Sequence, residues 1–384
     1  MAKEKLSEFE RYKRKLNIRR KLSAVFWLLL ITAVAAGGVV WFGAFSKSEF
    51  GVAFRSQFTR DNQFPIALSG GSIRQIEPLE WDICFINDTD FYVYDNKGNQ
   101  TFTATHGFAS PVLKTDGGRA LLYDQGGTRF LLTSATRQLA QIDTGYAIHA
   151  ADVASDGSVA VATSASQHAT QVTVYDSLQN QPLVWKSSEN MATAIALSPD
   201  AGQVAIACVN ASGGELVSTV YLLDVKNNQE VMRVQLPGEF TYSVSFKDQS
   251  IHAVTDKGVK SIDSMGRVRA SFDYQGQQPM LFSDGQLHNT VLVLGNYRYM
   301  RSSEVVSLDA KCKQLARFTV DTTVDSLKVN ERGIYYLSDN VVYHYDFSGK
   351  LLAQTEAPGT GEYLPLGQSL YAGTYEELRK LEIR

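Results

Sequence analysis

Val172-Thr173-Val174-Tyr175-Asp176 is an alternating apolar run that stops at an acid, and Val220-Tyr221-Leu222-Leu223-Asp224 repeats the pattern. The same ending, an aromatic or aliphatic residue followed by an acid, stands at Tyr94-Asp95, Ile262-Asp263, Leu308-Asp309 and Tyr345-Asp346. A weaker copy is Leu381-Glu382, and Thr133-Ser134 is a degenerate one. Each copy precedes a polar turn and another strand-like run. A period of roughly 40–45 residues with several short strands per unit is the sequence pattern of a β-propeller.

Working outward from each copy gives a four-stranded unit. An inner run leads to a turn bearing Asp or Gly, such as Thr115-Asp116-Gly117-Gly118, Ser198-Pro199-Asp200-Ala201-Gly202 or Ser283-Asp284-Gly285. Tight hairpins favour these residues because they need side-chain capping and positive φ. A small or β-branched run follows (Val159–Thr163, Val204–Val209, Ile334–Leu337), then the signature strand, then a more polar outer strand such as Val231–Leu236. The fold predicted is all-β: a propeller of eight four-stranded blades, with seven as the alternative, preceded by one transmembrane helix. The last repeat ends at its third strand at Arg384. Closure therefore calls for a borrowed strand, and Phe64-Pro65-Ile66-Ala67-Leu68 is its natural donor, because pairing removes two exposed edges.

Ahead of the repeats, Leu22 to Ser46 contains no charged residue. That length exceeds the roughly 20 residues needed to cross a hydrocarbon core of about 30 Å. Trp27 and Trp41 sit near its ends, where amphipathic rings favour the interface. A cleaved signal peptide ending at Ala33-Val34-Ala35 is the competing reading, but the apolar stretch runs well past that point. Residues 1–21 hold nine Lys or Arg against three Glu, a net +6, while the rest of the chain nets −9. The positive-inside bias then predicts a cytoplasmic tail over 1–21, a signal anchor over 22–46 in the lipid bilayer and a juxtamembrane linker over 47–63. Residues 64–384 form an extracytoplasmic domain at the cell membrane. An acidic folded part without a basic stripe argues against nucleic acid as a partner.

Phe64-Pro65-Ile66-Ala67-Leu68-Ser69-Gly70-Gly71, Ser110-Pro111-Val112-Leu113-Lys114 and the run Arg119 to Phe130 resemble motifs of a bacterial domain family of unknown function. That family comprises single-span propeller proteins of Gram-positive anaerobes. The resemblance covers nearly the whole chain, its motifs are turns and strand starts, and it implies no catalytic residues. More distantly the repeats are similar to WD40-like and quinoprotein-dehydrogenase-like propellers. The quinone enzymes among those use vicinal cysteines and a tryptophan-rich dock. Here Cys84, Cys208 and Cys312 are far apart and there are four Trp.

No residue is nominated as catalytic, cofactor-binding or metal-binding. There is no G-x-S-x-G elbow and no C-x-x-C pair. The histidines (His106, His149, His168, His252, His288, His344) show no metal-binding spacing. Asp88-Thr89-Asp90 with Asp95 to Gly98 does not match a calcium loop. Only His149 falls on an innermost strand, where it could face the channel. The recurring signature acid reads as an Asx-type turn cap, since seven near-equivalent acids at matching places are a scaffold pattern. The function expected is a membrane-anchored binding or scaffolding module for a protein or envelope polymer. An envelope hydrolase or lyase, or a ligand sensor, stands as the alternative.

Overall fold

The near-continuous apolar runs of the second and third strands of a repeat leave two faces to bury, which stacked, twisted sheets satisfy. A computed structural model, in which residues 63–68, 71–284, 289–295 and 303–383 are described, has this arrangement as eight four-stranded antiparallel sheets. A short strand β1 (Ile66–Ala67) precedes them. Blade 1 is β2 (Gln75–Leu79), β3 (Asp82–Ile86), β4 (Asp90–Tyr94) and β5 (Gln100–Thr105). Blade 2 is β6 (Pro111–Asp116), β7 (Arg119–Asp124), β8 (Arg129–Thr133) and β9 (Gln138–Asp143). Blade 3 comprises β10 (Ile148–Val153), β11 (Val159–Ala165), β12 (His168–Tyr175) and β13 (Leu183–Ser187). Blade 4 comprises β14 (Met191–Leu197), β15 (Gln203–Ser212), β16 (Glu215–Asp224) and β17 (Gln229–Pro237). Blade 5 runs through β18 (Thr241–Lys247), β19 (Ser250–Thr255), β20 (Gly258–Asp263) and β21 (Val268–Asp273). Blade 6 runs through β22 (Gln278–Ser283), β23 (Thr290–Gly295), β24 (Ser303–Leu308) and β25 (Gln314–Val320). Blade 7 holds β26 (Ser326–Asn330), β27 (Gly333–Ser338), β28 (Val341–Tyr345) and β29 (Leu351–Glu356). Blade 8 holds β30 (Glu362–Leu366), β31 (Ser369–Gly373) and β32 (Glu377–Glu382), with β1 as its outermost strand.

The eighth blade is therefore completed from the other end of the chain, as the donor segment predicts. Ile66 pairs with Leu378 and Ala67 with Glu377, and the Leu68 N–H donates to the Glu376 carbonyl at 2.8 Å. Phe64 lies 5.3 Å from Tyr371, centroid to centroid, and Lys380 sits over both rings.

The core is divided among the junctions between blades. Along β7, Ala120 and Leu122 pack toward blade 1, while Leu121 and Tyr123 pack toward blade 3. The same division continues round the ring to the last junction, where Ile76 and Phe85 meet Leu364 and Tyr371. Each fully buried aliphatic or aromatic side chain of this kind contributes about 1.5–3 kcal/mol.

Every signature copy ends the third strand of its blade. Asp176 accepts the N–H groups of Leu178 and Asn180 at 2.9 and 2.8 Å. Asp263, Asp309 and Asp346 each accept the same two-and-four-residue pair of N–H bonds, and Asp95 does so from Lys97 and Asn99. The acid is a turn cap. At the degenerate copy, Ser134 Oγ substitutes with a longer 3.4 Å bond from Thr136 N–H.

The tail, anchor and linker read over 1–62 lie outside the described residues, as do Gly285 and His288. Among the described residues no helix is long and apolar enough to cross a membrane.

Candidate functional site

An up-and-down blade sends the connections after its first and third strands to one face of the ring, and those after its second and fourth to the other. The first face carries the short capped turns. The second carries the hairpins between second and third strands and the crossings from blade to blade, and from it projects the hairpin of β15 and β16, each ten residues long. Gly213 and Gly214 turn that hairpin at φ 63° and 86°, a conformation that tight two-residue turns require and that glycine adopts freely.

The innermost strands line a central cavity of about 550 Å³. Four of them, on blades 3 to 6, depart from regular pairing near their starts. Register shifts fall between Ile148 and Ala150, Ala192 and Ala194, Thr241 and Ser243, and Pro279 and Leu281. The innermost pairs of blades 1, 2, 7 and 8 carry no such shift. A bulge adds one unpaired residue and re-aims its side chain. The four residues so placed are His149, Thr193, Tyr242 and Met280. His149, Thr193 and Tyr242 line the cavity, and Tyr242 and Met280 are exposed. Tyr242 packs edge-on against Phe240 at 5.2 Å and reaches Phe282 at 6.4 Å. Burial holds the His149 imidazole below its ordinary pKa and so favours its neutral form.

Elsewhere the cavity wall is polar and tied across blades. Lys328 Nζ on β26 donates to Glu77 Oε1 at 3.0 Å and to the Ile76 carbonyl at 3.2 Å. Gln75 bridges to the next blade through both amide atoms, giving to Leu113 O and accepting from Leu113 N–H. Asp152 accepts the Leu197 N–H at 2.9 Å, and its burial raises its pKa. At the junction of blades 5 and 6, Asp284 accepts hydroxyl bonds from Ser243 and Ser245 and faces Lys247 Nζ at 3.6 Å. Lys247 is fully buried, and desolvation lowers its pKa. The ties of Gln75, Asp152 and Asp284 each link one blade to the next, and Lys328 reaches from blade 7 past blade 8 to blade 1, an interlocking polar set that rigidifies the ring.

The histidines divide as their surroundings dictate. His149 faces the channel. His106 accepts the Phe108 N–H, His252 bonds the Ala310 carbonyl at 2.6 Å and His344 stacks on Tyr335 at 4.2 Å, all as packing groups. His168 opens β12 on the hairpin between second and third strands. Asp88 pairs with Arg74, and Asp90 takes hydroxyl bonds from Thr89 and Thr105. Asp200 takes a 2.6 Å bond from Ser198 within its turn. Cys84, Cys208 and Cys312 are buried free thiols. Among the described residues no group of three or more His, Cys, Asp or Glu is placed to hold a metal ion.

Thr193, Tyr242 and Met280 carry no sequence signal of their own, because the inserted residue of a bulge has no characteristic composition. Lys247 and Asp284 are brought together only by the adjacency of blades.

Solved structures share the architecture. The C-terminal WD40 domain of Sif2 superposes with a TM-score of 0.61 at 12% identity, covering 83% of this chain and 97% of that one. Chaetomium thermophilum Sqt1, solved bound to the N-terminus of the ribosomal protein L10, gives 0.58 at 15% identity, covering 84% and 100%. BamB from Moraxella catarrhalis gives 0.52 at 13% identity, covering 82% and 99%. At such identities the likeness is one of fold. Among curated proteins no sequence matches the chain significantly. The family model that matches residues 63–360 is the Family of unknown function (DUF5711), and the chain belongs to that family.

Proposed function

We propose that this chain is a membrane-anchored, extracytoplasmic propeller that binds a protein or envelope polymer at the mouth of its central channel. The observation that carries the reading is the asymmetry of the bulges. Eight repeats built only to close a ring have no reason to break register on four consecutive innermost strands, at His149, Thr193, Tyr242 and Met280, three of which line the cavity. Bulges of this kind recur where a side chain is re-aimed for contact. A rigid ring also keeps such a surface preformed, which lowers the entropic cost of association. Sqt1, a fold relative, was solved with a protein segment bound. The anchor is the uncharged run Leu22 to Ser46, and the basic residues ahead of it direct the propeller outward.

A photo-reactive amino acid placed at Thr193 and, separately, at Leu178 on the opposite face tests the reading in cells. A discrete crosslinked adduct is expected from position 193 and none from 178. Equal adducts from both faces, or none from either, would overturn it.

A further inference from the structure

We propose that a second site, on the capped-turn face between blades 2 and 3, binds a small oxyanion: a carboxylate or a phosphate. It is independent of the channel mouth. The chemistry of its ligand follows from one turn that departs from its counterparts round the ring. In blades 1, 3 and 5 the N–H of the signature acid donates to the carbonyl of a residue four positions on. That residue turns its own side chain back onto the acid. Asn99 donates to Asp95 Oδ2 at 2.8 Å, Asn180 to Asp176 Oδ2 at 2.8 Å, and Arg267 Nε to Asp263 Oδ2 at 2.9 Å. In blade 4, Asn227 likewise donates to Asp224 Oδ2 at 3.0 Å.

The turn of blade 2 keeps the donor and has lost the acid. Its signature position is Ser134, whose N–H donates to the Arg137 carbonyl at 2.9 Å. Arg137 therefore holds the place that Arg267 holds in blade 5, on a turn one residue shorter. Ser134 Oγ takes the Thr136 N–H at 3.4 Å and offers no carboxylate. The exposed Arg137 guanidinium makes no hydrogen bond or ion pair among the described residues. Its planar fork matches a carboxylate or a phosphate in two parallel bonds.

Arg137 lines a concave site of about 380 Å³. Small-molecule pockets run from about 300 to 1,000 Å³. The wall brings Arg119, from the first turn of blade 2, together with Ser177 and Gln179, from the last turn of blade 3. Arg119 lies across the junction, its Nε 3.5 Å from the position that a Cβ on Gly157 would take. The Gln179 amide makes no hydrogen bond among the described residues, and its Oε1 is buried. Its N–H groups can donate to an oxyanion and its Oε1 can accept from a hydroxyl beside one. The site opens to solvent, since Arg137, Asp156, Ser177 and Leu178 on its wall are all exposed. Asp156 adds a negative charge to this wall, and Asp176 adds another at the base of the facing turn. Recognition therefore rests on directed bonds from the guanidinium fork and the amide, and not on a general positive field.

The test is isothermal titration calorimetry on the full chain in micelles of a non-ionic detergent. The probes are glucuronate, inorganic phosphate and glucose. At least one of the two anions is expected to bind, the tighter of them telling carboxylate from phosphate, and glucose is expected not to bind. Arg137→Gln should weaken the anion about tenfold or more, and Arg137→Lys, which keeps the charge and loses the fork, should restore only part of that. Ser134→Asp supplies the acid that the other blades have at this place, so it should abolish binding and raise the melting temperature. Tyr242→Ser, at the channel mouth, should change nothing. Thermal melts separate lost contact from lost folding, and if either Arg137→Gln or Ser134→Asp does not fold, the other decides. Glucose binding as tightly as the anions overturns the oxyanion assignment. Unchanged binding in a folded Arg137→Gln or Ser134→Asp overturns the site. Silence from all three probes overturns the proposal, and the crosslinking result at Thr193 stands apart from each of these outcomes.

Discussion

Two sets of carboxyls in this ring pull its acid stability in opposite directions. Asp176, Asp224, Asp263 and Asp346 are held below their ordinary range, chiefly by hydrogen bonds from the turns they cap. A carboxyl bound more tightly as the anion in the folded state adds stability above about pH 4, and that stability disappears as pH falls through the folded values. Asp82 behaves oppositely. Burial first, then the nearby charges of Asp95 and Glu80, raise its pKa to about 7. It folds more readily protonated, so it withdraws stability as pH rises from about 4 to about 7 and leaves a constant penalty above. Asp82→Asn should therefore raise the melting temperature at pH 8, by an amount corresponding to roughly 2 kcal/mol, and leave it unchanged at pH 4. Melts of both proteins across pH 3–8 check this, and a uniform offset at every pH would show that Asp82 titrates normally. The caps were legible in the sequence, because an acid followed by a Gly- or Asn-bearing turn is a local pattern. Asp82 was not, since its burial depends on the neighbours that the ring places around it.

At the scale of elements, β1 is a strand of two paired residues that completes a blade. Its removal takes the buried Ile66 and the packed Phe64 and Leu68 out of their cluster and bares the edge of β32. A chain beginning at Gly71 should lose on the order of 5 kcal/mol relative to one beginning at Gln63. The corresponding fall in melting temperature is about 10 °C, measurable by circular dichroism. Similar melts would mean that the segment adds little to closure. Strand order, blade number and this donor could all be read from alternation and turn spacing, because each is written in contiguous residues. Two elements could not. The extension of β15 and β16 to ten residues each is hidden in the sequence, since Asn210, Ala211 and Glu215 break the apolar run that marks its base. Bulges at His149, Thr193, Tyr242 and Met280 are decided by what the partner strand pairs with, which no single run contains.

For the molecule as a whole, the burial of all three thiols has an experimental use. Cys208 and Cys312 are pushed up to about 12 by burial, and Cys84 is raised as well. The thiolate is the reactive species, so the native ring should be silent to maleimides at neutral pH. Leu178, on a capped turn, is 80% exposed. A membrane-impermeant maleimide added to intact cells should label Leu178→Cys and leave the parent chain unlabelled. Labelling of the variant only after lysis would place the propeller on the cytoplasmic side. The architecture at this scale was legible because the repeat is periodic. The face proposed for contact was not, because the bulges that mark it are decided by strand pairing, which no single run of sequence contains. The seam between β1 and β32 also has a mechanical meaning. Seven blades are hairpins joined covalently from strand to strand, whereas the eighth holds the N-terminal side by the rungs Ile66–Leu378 and Ala67–Glu377 and a few flanking contacts. A pull along the N-terminal segment reaches those rungs before any other. Under load the ring unclasps at its seam first, so that a tether passing through β1 acts as a force-limited latch.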